Sequence, residues 1–511
     1  MKLIKVLLSW DESQSSHRLM MFIVLTLGLL NFFWGEKVPA GNGFGWDGVH
    51  YGEMVRNLPS MISEGQLSSY YAQRILPVSI VRALLDMSGA TLTNTNIISG
   101  FELYNLTLLL GACWIWKRLA DKFLLSISGR WIGFSGIFIN FQASKQAFYY
   151  PVLTDVTALF VAMLLLLFYV EKKPLALFAV TIIGAFSWPV VSICGALLLL
   201  FLKTELPKEI IAPAAPVFNI DSLFRSSLVR FGGLVLLFLW AVIYIAATQA
   251  GGVSEHICNA YLPNVLSCSP EGFAKLFTAL SSILVILVAF AMLMGSRASF
   301  GAIIGCLKRL PLPLVILSIA AVLIPFFMVK VFSNPELVNA GSLKGLIYLI
   351  LFPQPGKHLL PFVTLASFWG PVVLLLMLFW NQFCIEARKL GPGVVAIIGI
   401  SLILGLTGEP RFVTIGWPFL VLGIVLVLEV SSTKPSFKYV FAVLVIVYAQ
   451  FWIRLNYAPW LPPDFAGLQE FPKQLYFMHY GVWMSWLTYC IQLIALIFSA
   501  IWLRKSVIKV G

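Results

Sequence analysis

Residues 19–35 read Leu-Met-Met-Phe-Ile-Val-Leu-Thr-Leu-Gly-Leu-Leu-Asn-Phe-Phe-Trp-Gly, an apolar run without a charged side chain between Arg18 and Glu36. A run of this length approaches the roughly 20 residues that an α-helix needs to cross the hydrocarbon core of a bilayer. Similar runs recur along the chain as far as Leu503. The sequence therefore predicts helices whose solvent, over most of the chain, is lipid.

The composition excludes a water-soluble fold. Of the 511 residues, 59% are hydrophobic and only 11% are charged, whereas ordinary soluble proteins carry about 25% charged residues. The formal net charge of +13 would suggest a nucleic-acid partner in a soluble protein, but no basic patch alternates with stacking aromatic residues here. We therefore interpret the positive charge as a signal of membrane topology and expect no nucleic-acid partner.

The apolar runs predict about fourteen helices in an all-α polytopic membrane protein. They lie at 19–35, 97–116, 124–141, 154–170, 175–187, 189–203, 229–248, 276–295, 312–329, 362–381, 392–407, 412–429, 439–453 and 482–503. Threading the chain alternately through them places the lysine- and arginine-rich loops on one side, which the positive-inside rule makes cytoplasmic. We expect residues 1–511 to form one transmembrane domain, with both termini cytoplasmic and no soluble C-terminal domain.

Two parts of the chain, 175–203 and the first apolar run, allow a second interpretation. The runs 175–187 and 189–203 are interpreted as two helices, because a single kinked helix would invert every later loop against its charge. The first run follows a short basic segment, as in a signal peptide, but Asp11 and Glu12 in that segment favour an uncleaved anchor.

The first external loop, residues 36–96, is about 60 residues long and carries most of the polar patterning. Residues 43–56 read Gly-Phe-Gly-Trp-Asp-Gly-Val-His-Tyr-Gly-Glu-Met-Val-Arg. The glycines predict a tight turn that ends at Asp47, and His50 and Tyr51 follow at helical spacing. In many proteins, binding and catalytic residues lie on loops that a rigid scaffold holds in position. We expect the chemistry at this external face.

Three roles remain open for Asp47 on the residues alone. It could cap the helix that it opens. It could bind a divalent metal together with His50 and Glu53, since O and N ligands three residues apart converge on one helix face. It could also act on a substrate. Tyr51 and Tyr70 are more typical of the aromatic belt at a membrane surface than of a substrate contact.

Residues 75–90 predict a second feature of the first loop. They are apolar but too short to span a bilayer, and they carry Arg82 and Asp86 four residues apart. This pattern favours a helix that lies on the membrane surface. Such a helix beside a carboxylate could hold a substrate whose tail stays in the bilayer.

The cysteines offer one disulfide candidate. The chain has seven cysteines, of which only Cys258 and Cys268 share a predicted external loop. They could be bridged if that face is oxidising, or they could remain two thiols. No Cys/His spacing resembles a zinc site.

Several of these motifs together resemble a family. Trp46-Asp47-Gly-x-His50-Tyr51, followed by Tyr-x-x-Arg74-Ile-Leu-Pro77, resembles the start of membrane glycosyltransferases of the GT-C superfold. The likeness is greatest to bacterial protein-mannosyltransferase-like members, and the Trp-Asp-x-x-His-Tyr part is also similar to the second GPI mannosyltransferase. Two later stretches, Tyr149–Asp155 and Gly408–Arg411, resemble an external Thr-Asp helix start and a polar turn of the same family.

The resemblance covers the first 170 residues well and the remainder only by helix count and loop layout. One difference concerns metal binding: many members place two adjacent acids in the first loop, whereas Gly48 follows Asp47 here. The resemblance implies a bundle of about 12–14 transmembrane helices. It also implies transfer of a sugar from a polyprenyl-phosphate carrier, with a divalent metal left open and no other cofactor.

The residues fit this chemistry. Inverting transfer needs a general base for the acceptor hydroxyl, and Asp47 is our candidate. The leaving lipid phosphate needs cations near the membrane surface. The candidates for phosphate contact, each of which could instead only reach toward headgroups, are Arg74, Arg411, Lys357 and His358. The candidates for substrate binding are His50, Tyr51, Asp155 and Glu409.

Asp155 could orient the acceptor, hold Arg74 or cap its helix, and Glu409 is expected to pair with Arg411. The acceptor is expected to be lipid-linked or a glycan rather than a folded protein, in a bacterial inner membrane and its cell envelope.

Other function classes remain open. A lipid or glycan transporter would fit a many-helix protein, although ion-coupled transporters keep ionisable residues near the bilayer midplane, where this sequence has few. A polysaccharide polymerase or ligase would share the lipid carrier, but such enzymes typically place their large loop late in the chain. A structural scaffold would leave the Trp46-Asp47-Gly48 turn without a role.

Overall fold

The computed structural model describes residues 2–204, 287–295, 307–334, 359–431, 434–456 and 486–507, with a few isolated residues between these ranges. Within them, every regular element is a helix. Four of the described helices are long and apolar enough to cross a membrane: Ser13–Trp34, Asn94–Lys122, Leu312–Phe332 and Thr488–Val507. The chain is thus an all-helical protein with the helices expected of an integral membrane protein.

The N-terminal part contains ten α-helices up to residue 200. They are α1 (Lys2–Trp34), α2 (Asp47–Ser63), α3 (Ser69–Ala72), α4 (Ile75–Met87), α5 (Asn94–Lys122), α6 (Ile127–Phe138), α7 (Ala147–Tyr149), α8 (Asp155–Val170), α9 (Pro174–Gly184) and α10 (Val190–Leu200). A short π-helical segment, Gln142–Gln146, precedes α7. The loop that the sequence predicts to be external, residues 36–96, therefore contains three helices, α2 to α4.

The later described helices continue the bundle. They are α11 (Leu312–Phe332), α12 (Leu360–Trp369), α13 (Val372–Leu378), α14 (Trp380–Leu390), α15 (Pro392–Gly405), α16 (Trp417–Val430), α17 (Ser436–Ala449) and α18 (Trp486–Val507). A 3-10 turn, Pro410–Val413, joins α15 to α16. Buried side chains from helices along the whole described chain form one continuous apolar core.

Most predicted spans correspond to helices, with two differences among the described residues, and the predicted division of 175–203 is confirmed. The first helix begins at Lys2 instead of residue 19. The predicted span 362–381 breaks at Gly370, whose φ of 81° suits glycine, and at the following proline. Residues 175–203 form two helices, α9 and α10, that pack against each other. The predicted span 229–248, Cys258 and Cys268 lie outside the described residues.

One end of the helical body collects the loops that the sequence predicts to be cytoplasmic. His17 of α1 lies near the charges of Lys117, Asp121 and Arg130, at the junction of α5 and α6. The Arg130 guanidinium pairs with Asp121 at 2.6 Å. The hydroxyl of Tyr169 at the end of α8 donates to the carbonyl of Leu390 at the end of α14. Because α1 passes this end at His17 and α8 ends here at Val170, Trp34 of α1 and Asp155 of α8 lie at the opposite end.

At that opposite end, Glu36 fixes the start of the first external loop. Its Oε2 accepts from Lys145 Nζ at 3.2 Å and from the backbone N–H of Leu455 at 2.7 Å. Its Oε1 accepts from the backbone N–H of Asn456 at 3.1 Å. The next residue, Lys37, pairs with buried Glu102 of α5. Three distant segments therefore meet at one carboxylate.

A second set of hydrogen bonds strengthens this junction. The Asn456 amide donates to the Lys37 carbonyl at 2.8 Å, and the Tyr149 hydroxyl donates to Asn456 Oδ1 at 2.6 Å. The backbone N–H of Val38 donates to the Tyr149 carbonyl at 2.8 Å. The first external loop thus leaves α1 along a fixed path beside residues 145–149, and this path sets where α2 begins.

Substitution of Glu36 tests this junction. Glu36→Met leaves the ammonium of Lys145, only 6% exposed, without its carboxylate, so we expect a loss of about 3 kcal/mol of unfolding free energy. Lys145→Met leaves Glu36 with its two backbone donors, so we expect a loss of about 1 kcal/mol. Thermal unfolding of the two variants in the same detergent shows which of them is less stable, and we expect it to be Glu36→Met. Equal midpoints for the two variants would contradict this assignment.

Candidate functional site

The turn before Asp47 depends on glycine. Gly45 has a φ of 72°, a region that favours glycine, and the backbone N–H of Gly48 donates to the Tyr150 hydroxyl at 3.1 Å. A Cβ on Gly48 would lie 2.3 Å from Cγ2 of Val152. Only a residue without a side chain lets α2 begin this close to residues 150–152, and so to α8.

Asp47 is the first residue of α2, and Trp46 occupies the cap position without a side-chain cap hydrogen bond. The predicted helix start is confirmed, but Asp47 is not the N-cap residue. Its carboxylate lies in the first turn, where negative charge interacts favourably with the helix dipole. Asp47 is half-buried, which leaves part of its surface accessible to a substrate.

Aromatic side chains surround the turn. The ring of Tyr71 contacts those of His50, Tyr51 and Tyr70, with centroid distances of 5.0, 5.8 and 5.1 Å. Tyr51 is only 1% exposed, so it packs inside the protein instead of facing headgroups. Burial raises the pKa of Tyr51 well above its ordinary value and also raises the pKa of Tyr70. Both phenols therefore stay protonated near neutral pH.

Arg74 lies at the start of α4 and is held by its surroundings. Its Nη1 donates to the Tyr70 carbonyl at 2.9 Å, and its Cζ lies 3.8 Å from the centre of the Tyr70 ring. The ring of Trp188, in the turn between α9 and α10, lies 5.9 Å from the same Cζ. The backbone N–H of Leu76 donates to the Phe186 carbonyl at 3.0 Å. This bond fixes α4 against that turn, and the guanidinium with it.

Asp155 opens α8 and is only 3% exposed. Neither of its carboxylate oxygens accepts a hydrogen bond from another residue that the structure describes. Its strongest charged neighbour is Arg411, followed by Glu409 and Arg74. The prediction that Asp155 holds Arg74 is wrong as a direct ion pair, because the two side chains interact only at longer range. The prediction that Asp155 caps α8 is also wrong, since Thr154 occupies the cap position of that helix.

Glu409 and Arg411 form the predicted local pair. Arg411 Nη2 lies 3.2 Å from Glu409 Oε1, and Glu409 is 5% exposed. The indole N–H of Trp369 donates to the Pro410 carbonyl at 2.9 Å, and its ring stacks on Trp417 at 4.6 Å. These contacts hold the 3-10 turn between α12 and α16.

The candidates from four separate segments therefore come together. The charges of Asp47 and Arg74 both influence the pKa of Tyr51 and that of Tyr70. The charges of Arg411 and Glu409 also influence the pKa of Tyr70. Asp155 interacts with Arg411, Glu409 and Arg74. We call this group of six residues the acid–cation cluster: Asp47, Tyr70, Arg74, Asp155, Glu409 and Arg411. Lys357 and His358 lie outside the described residues.

The metal alternative finds no support here. Among the described residues, no three His, Cys, Asp or Glu side chains are grouped so that they could hold a metal ion. Glu53 is engaged elsewhere, since its Oε1 accepts from Arg56 at 2.8 Å. Asp47, His50 and Glu53 therefore do not form a ligand set.

Sequence reasoning missed the polar segment beside the cluster. Residues 140–146 read Asn-Phe-Gln-Ala-Ser-Lys-Gln, and Gln142 and Gln146 are buried. The amide of Gln142 donates to the backbone carbonyl of Asp155 at 3.4 Å. A polar run directly after an apolar one was visible in the sequence, but it resembles an exposed loop equally well.

Comparisons of the chain with protein-family models, curated proteins and solved structures gave no match. Function must therefore be argued from the site itself.

Gly48→Ala tests the close approach of α2 to residues 150–152. The added methyl group would force Val152 or the helix to move, and overpacking of this kind costs about 1–3 kcal/mol. Gly305→Ala is the control, because no atom of the described residues lies within 4 Å of a Cβ at that position. We expect a lower thermal midpoint for Gly48→Ala and an unchanged or higher one for Gly305→Ala. Equal midpoints for Gly48→Ala and wild type would refute the tight contact.

Proposed function

We propose that the protein is a GT-C-type glycosyltransferase in the inner membrane of a bacterium. It moves a hexosyl or pentosyl group from a polyprenyl-phosphate-linked donor to a lipid-linked or glycan acceptor at the external face, in glycan biosynthesis of the cell envelope. The observation that carries this proposal is the acid–cation cluster. It groups an accessible carboxylate, Asp47, with two arginines, at the end of the helical body opposite the basic loops.

Asp47 is the general base in this proposal. It takes the proton from an acceptor hydroxyl as that oxygen attacks the anomeric carbon of the donor. The bond from this carbon to the phosphate oxygen breaks, and the polyprenyl phosphate leaves with the electron pair. Attack opposite to the leaving group inverts the anomeric centre. No described residue forms an ion pair with Asp47, which suits a carboxylate that must accept a proton.

Arg74 and Arg411 stabilise the phosphate as it leaves. Negative charge on the phosphate grows during the reaction, and guanidinium groups bind phosphate oxygens through charge-assisted hydrogen bonds. Arg74 is preoriented because it stacks on Tyr70 and lies beside Trp188. This preorganisation lowers the cost of ordering the side chain when the donor binds. Lys357 and His358 remain proposed phosphate contacts.

The remaining candidates bind the substrates. His50 is exposed and stacks against Tyr71, so it is proposed to contact the acceptor. Buried Tyr51 supports that surface from below, and Asp155 and Glu409 are proposed to accept from substrate hydroxyls. No metal is required by this scheme, since the arginines supply the positive charge.

The surface of α4 fits a lipid-linked substrate. Ile80, Leu84 and Met87 are exposed on this helix, with Met87 at 84%. Apolar side chains on one face of a short helix insert into the boundary between headgroups and acyl chains. Polyprenyl chains of donor and acceptor could lie along this face while their headgroups reach the cluster.

Asp47→Asn tests the general base. The substitution keeps the size of the side chain but removes its basicity, so we expect transfer to fall at least about 100-fold. Asp86→Asn is the matched control, because Asp86 is an exposed acid in the same loop that pairs with Arg82 at 2.7 Å. Transfer from polyprenyl-phosphate sugars by purified protein in nanodiscs is the assay. Full activity of Asp47→Asn would rule out Asp47 as the base.

Arg74→Gln tests phosphate contact. Loss of a charge-assisted hydrogen bond that strengthens in the transition state should lower kcat/KM by about tenfold or more. Arg454→Gln is the control, since its side chain is 74% exposed and lies 3.6 Å from Glu36. Steady-state kinetics with varied donor measure the difference. If both variants lose activity equally, the effect of Arg74 is one of general surface charge.

A further inference from the structure

One acid of the acid–cation cluster and two polar side chains close to it in the fold are buried without hydrogen-bond partners for some of their atoms. They are Gln142, Gln146 and Asp155, with exposures of 1%, 2% and 3%. Among the described residues, no other residue hydrogen-bonds Gln142 Oε1, either amide atom of Gln146, or either carboxylate oxygen of Asp155. Buried polar atoms are nearly always paired in folded proteins, so such a group requires an explanation.

The three side chains belong to one place in the fold. Gln142 Nε2 lies 3.4 Å from the backbone oxygen of Asp155, which joins the π-helical segment to the start of α8. Gln142 and Gln146 are four residues apart, about one helical turn, and therefore lie on nearly the same side of that segment. Single-turn π-helical segments are frequent at functional sites.

The segment is held rigidly from outside. Asn105 of α5 donates from its amide to the carbonyls of Ala147 at 2.9 Å and Pro151 at 2.8 Å. Asn140 accepts from the backbone N–H of Ala143 at 3.0 Å. These bonds fix the backbone of the segment, so the missing bonds of Gln142, Gln146 and Asp155 do not come from a loosely held backbone, although Asn105 Oδ1 also has no described hydrogen-bond partner.

The chemistry of the unpaired atoms indicates the ligand. A carboxylate only accepts hydrogen bonds, whereas an amide both accepts and donates. A phosphate would meet two carboxylate oxygens and an amide oxygen, so it is disfavoured here and favoured near Arg74 and Arg411. An ammonium group would leave the Gln146 amide N–H groups unpaired. Hydroxyl groups donate and accept, and they match all of these atoms.

We propose that Gln142, Gln146 and Asp155 form a binding site for adjacent hydroxyl groups of the sugar ring. This inference rests on the proposed transferase function and assigns two further residues to specificity, Gln142 and Gln146. The site selects the hydroxyl-bearing edge of the sugar, while the arginines select the phosphate. A sugar lacking a hydroxyl at this edge would leave buried groups unpaired and would be rejected.

The test separates recognition of the sugar from recognition of the phosphate. The full chain is purified in detergent, and thermal unfolding is followed with bare undecaprenyl phosphate or with undecaprenyl phosphate carrying mannose, glucose, galactose or arabinose. Ligand binding to the folded state raises the midpoint in proportion to occupancy, which yields an affinity. The variants are Gln142→Met and Gln146→Met, which keep side-chain length and remove the polar atoms.

We expect at least one sugar-bearing lipid to bind wild type more tightly than bare undecaprenyl phosphate. Each glutamine variant should lose about tenfold in affinity for that lipid and keep its affinity for the bare phosphate. Without ligand, Gln146→Met should unfold at the same or a higher temperature, because an unsatisfied buried group has been removed. Gln142→Met also loses the long bond to the Asp155 carbonyl, so its midpoint should change little. Thr181→Val is the control: its hydroxyl donates to the Leu177 carbonyl at 2.7 Å, so the variant should unfold earlier and bind like wild type.

The outcomes that contradict the inference are distinct from those that contradict the proposed function. If wild type prefers a sugar-bearing lipid and both glutamine variants bind it equally well, the hydroxyl site is wrong and the transferase proposal stands. If wild type binds bare phosphate and sugar-bearing lipids equally, no sugar site exists in this protein. If wild type binds none of these lipids, the transferase proposal fails and the inference fails with it.

Discussion

The apolar surface of the helices constrains every other feature, because helices of this length and composition are those that cross membranes. Lipid offers no hydrogen bonds, so backbone polar groups must be satisfied within helices and charges must be paired or moved to helix ends. Glu36 illustrates the solution: its carboxylate takes an ammonium and two backbone N–H groups where three segments leave the helical body. The irregular backbone of the first loop can then follow a fixed course, and the Asp47 turn begins from a defined position.

The same constraint explains why the acid–cation cluster is informative. Burial of Glu409 and Asp155 at helix starts destabilises a fold unless something compensates, and Arg411 compensates only in part. Proteins retain such costly groups mainly where they bind or react. The proposed transfer reaction uses each part: a carboxylate for the proton, guanidinium groups for the phosphate, and buried acceptors for hydroxyl groups.

Local patterns in the sequence were sufficient for some of these features. The Gly-Trp-Asp turn, the start of α8 at Asp155 and the Glu409–Arg411 pair each depend on residues close in the chain, and each was predicted. The junction at Glu36 was not, because Lys145 lies 109 positions away and nothing in either neighbourhood specifies the pairing. The division of 362–381 into several helices was also missed, since hydropathy carries no information on the positive φ of Gly370 that ends the first of them.

Gln142 and Gln146 show the same limit for the site. Their residue types are typical of exposed loops, and only the packing of α1 and α6 against their segment reveals that they are buried. A polar residue becomes informative when its environment is known, whereas a Trp-Asp-Gly turn is informative by itself. Sequence reasoning therefore found the residues proposed for the base and the phosphate, and of those proposed for the sugar it named Asp155 but overlooked Gln142 and Gln146.

The most direct test of the central claim, sugar transfer from a lipid carrier, is a comparison of envelope glycans and lipid-linked sugars between cells with and without this protein. The transferase account predicts that one glycan loses a single sugar, that the matching polyprenyl-phosphate sugar accumulates with its sugar exposed at the external face, and that the wild-type gene reverses both changes. Accumulation of that carrier with its sugar confined to the cytoplasmic face would contradict the account and indicate a transporter, and unchanged glycans and carriers would contradict it outright.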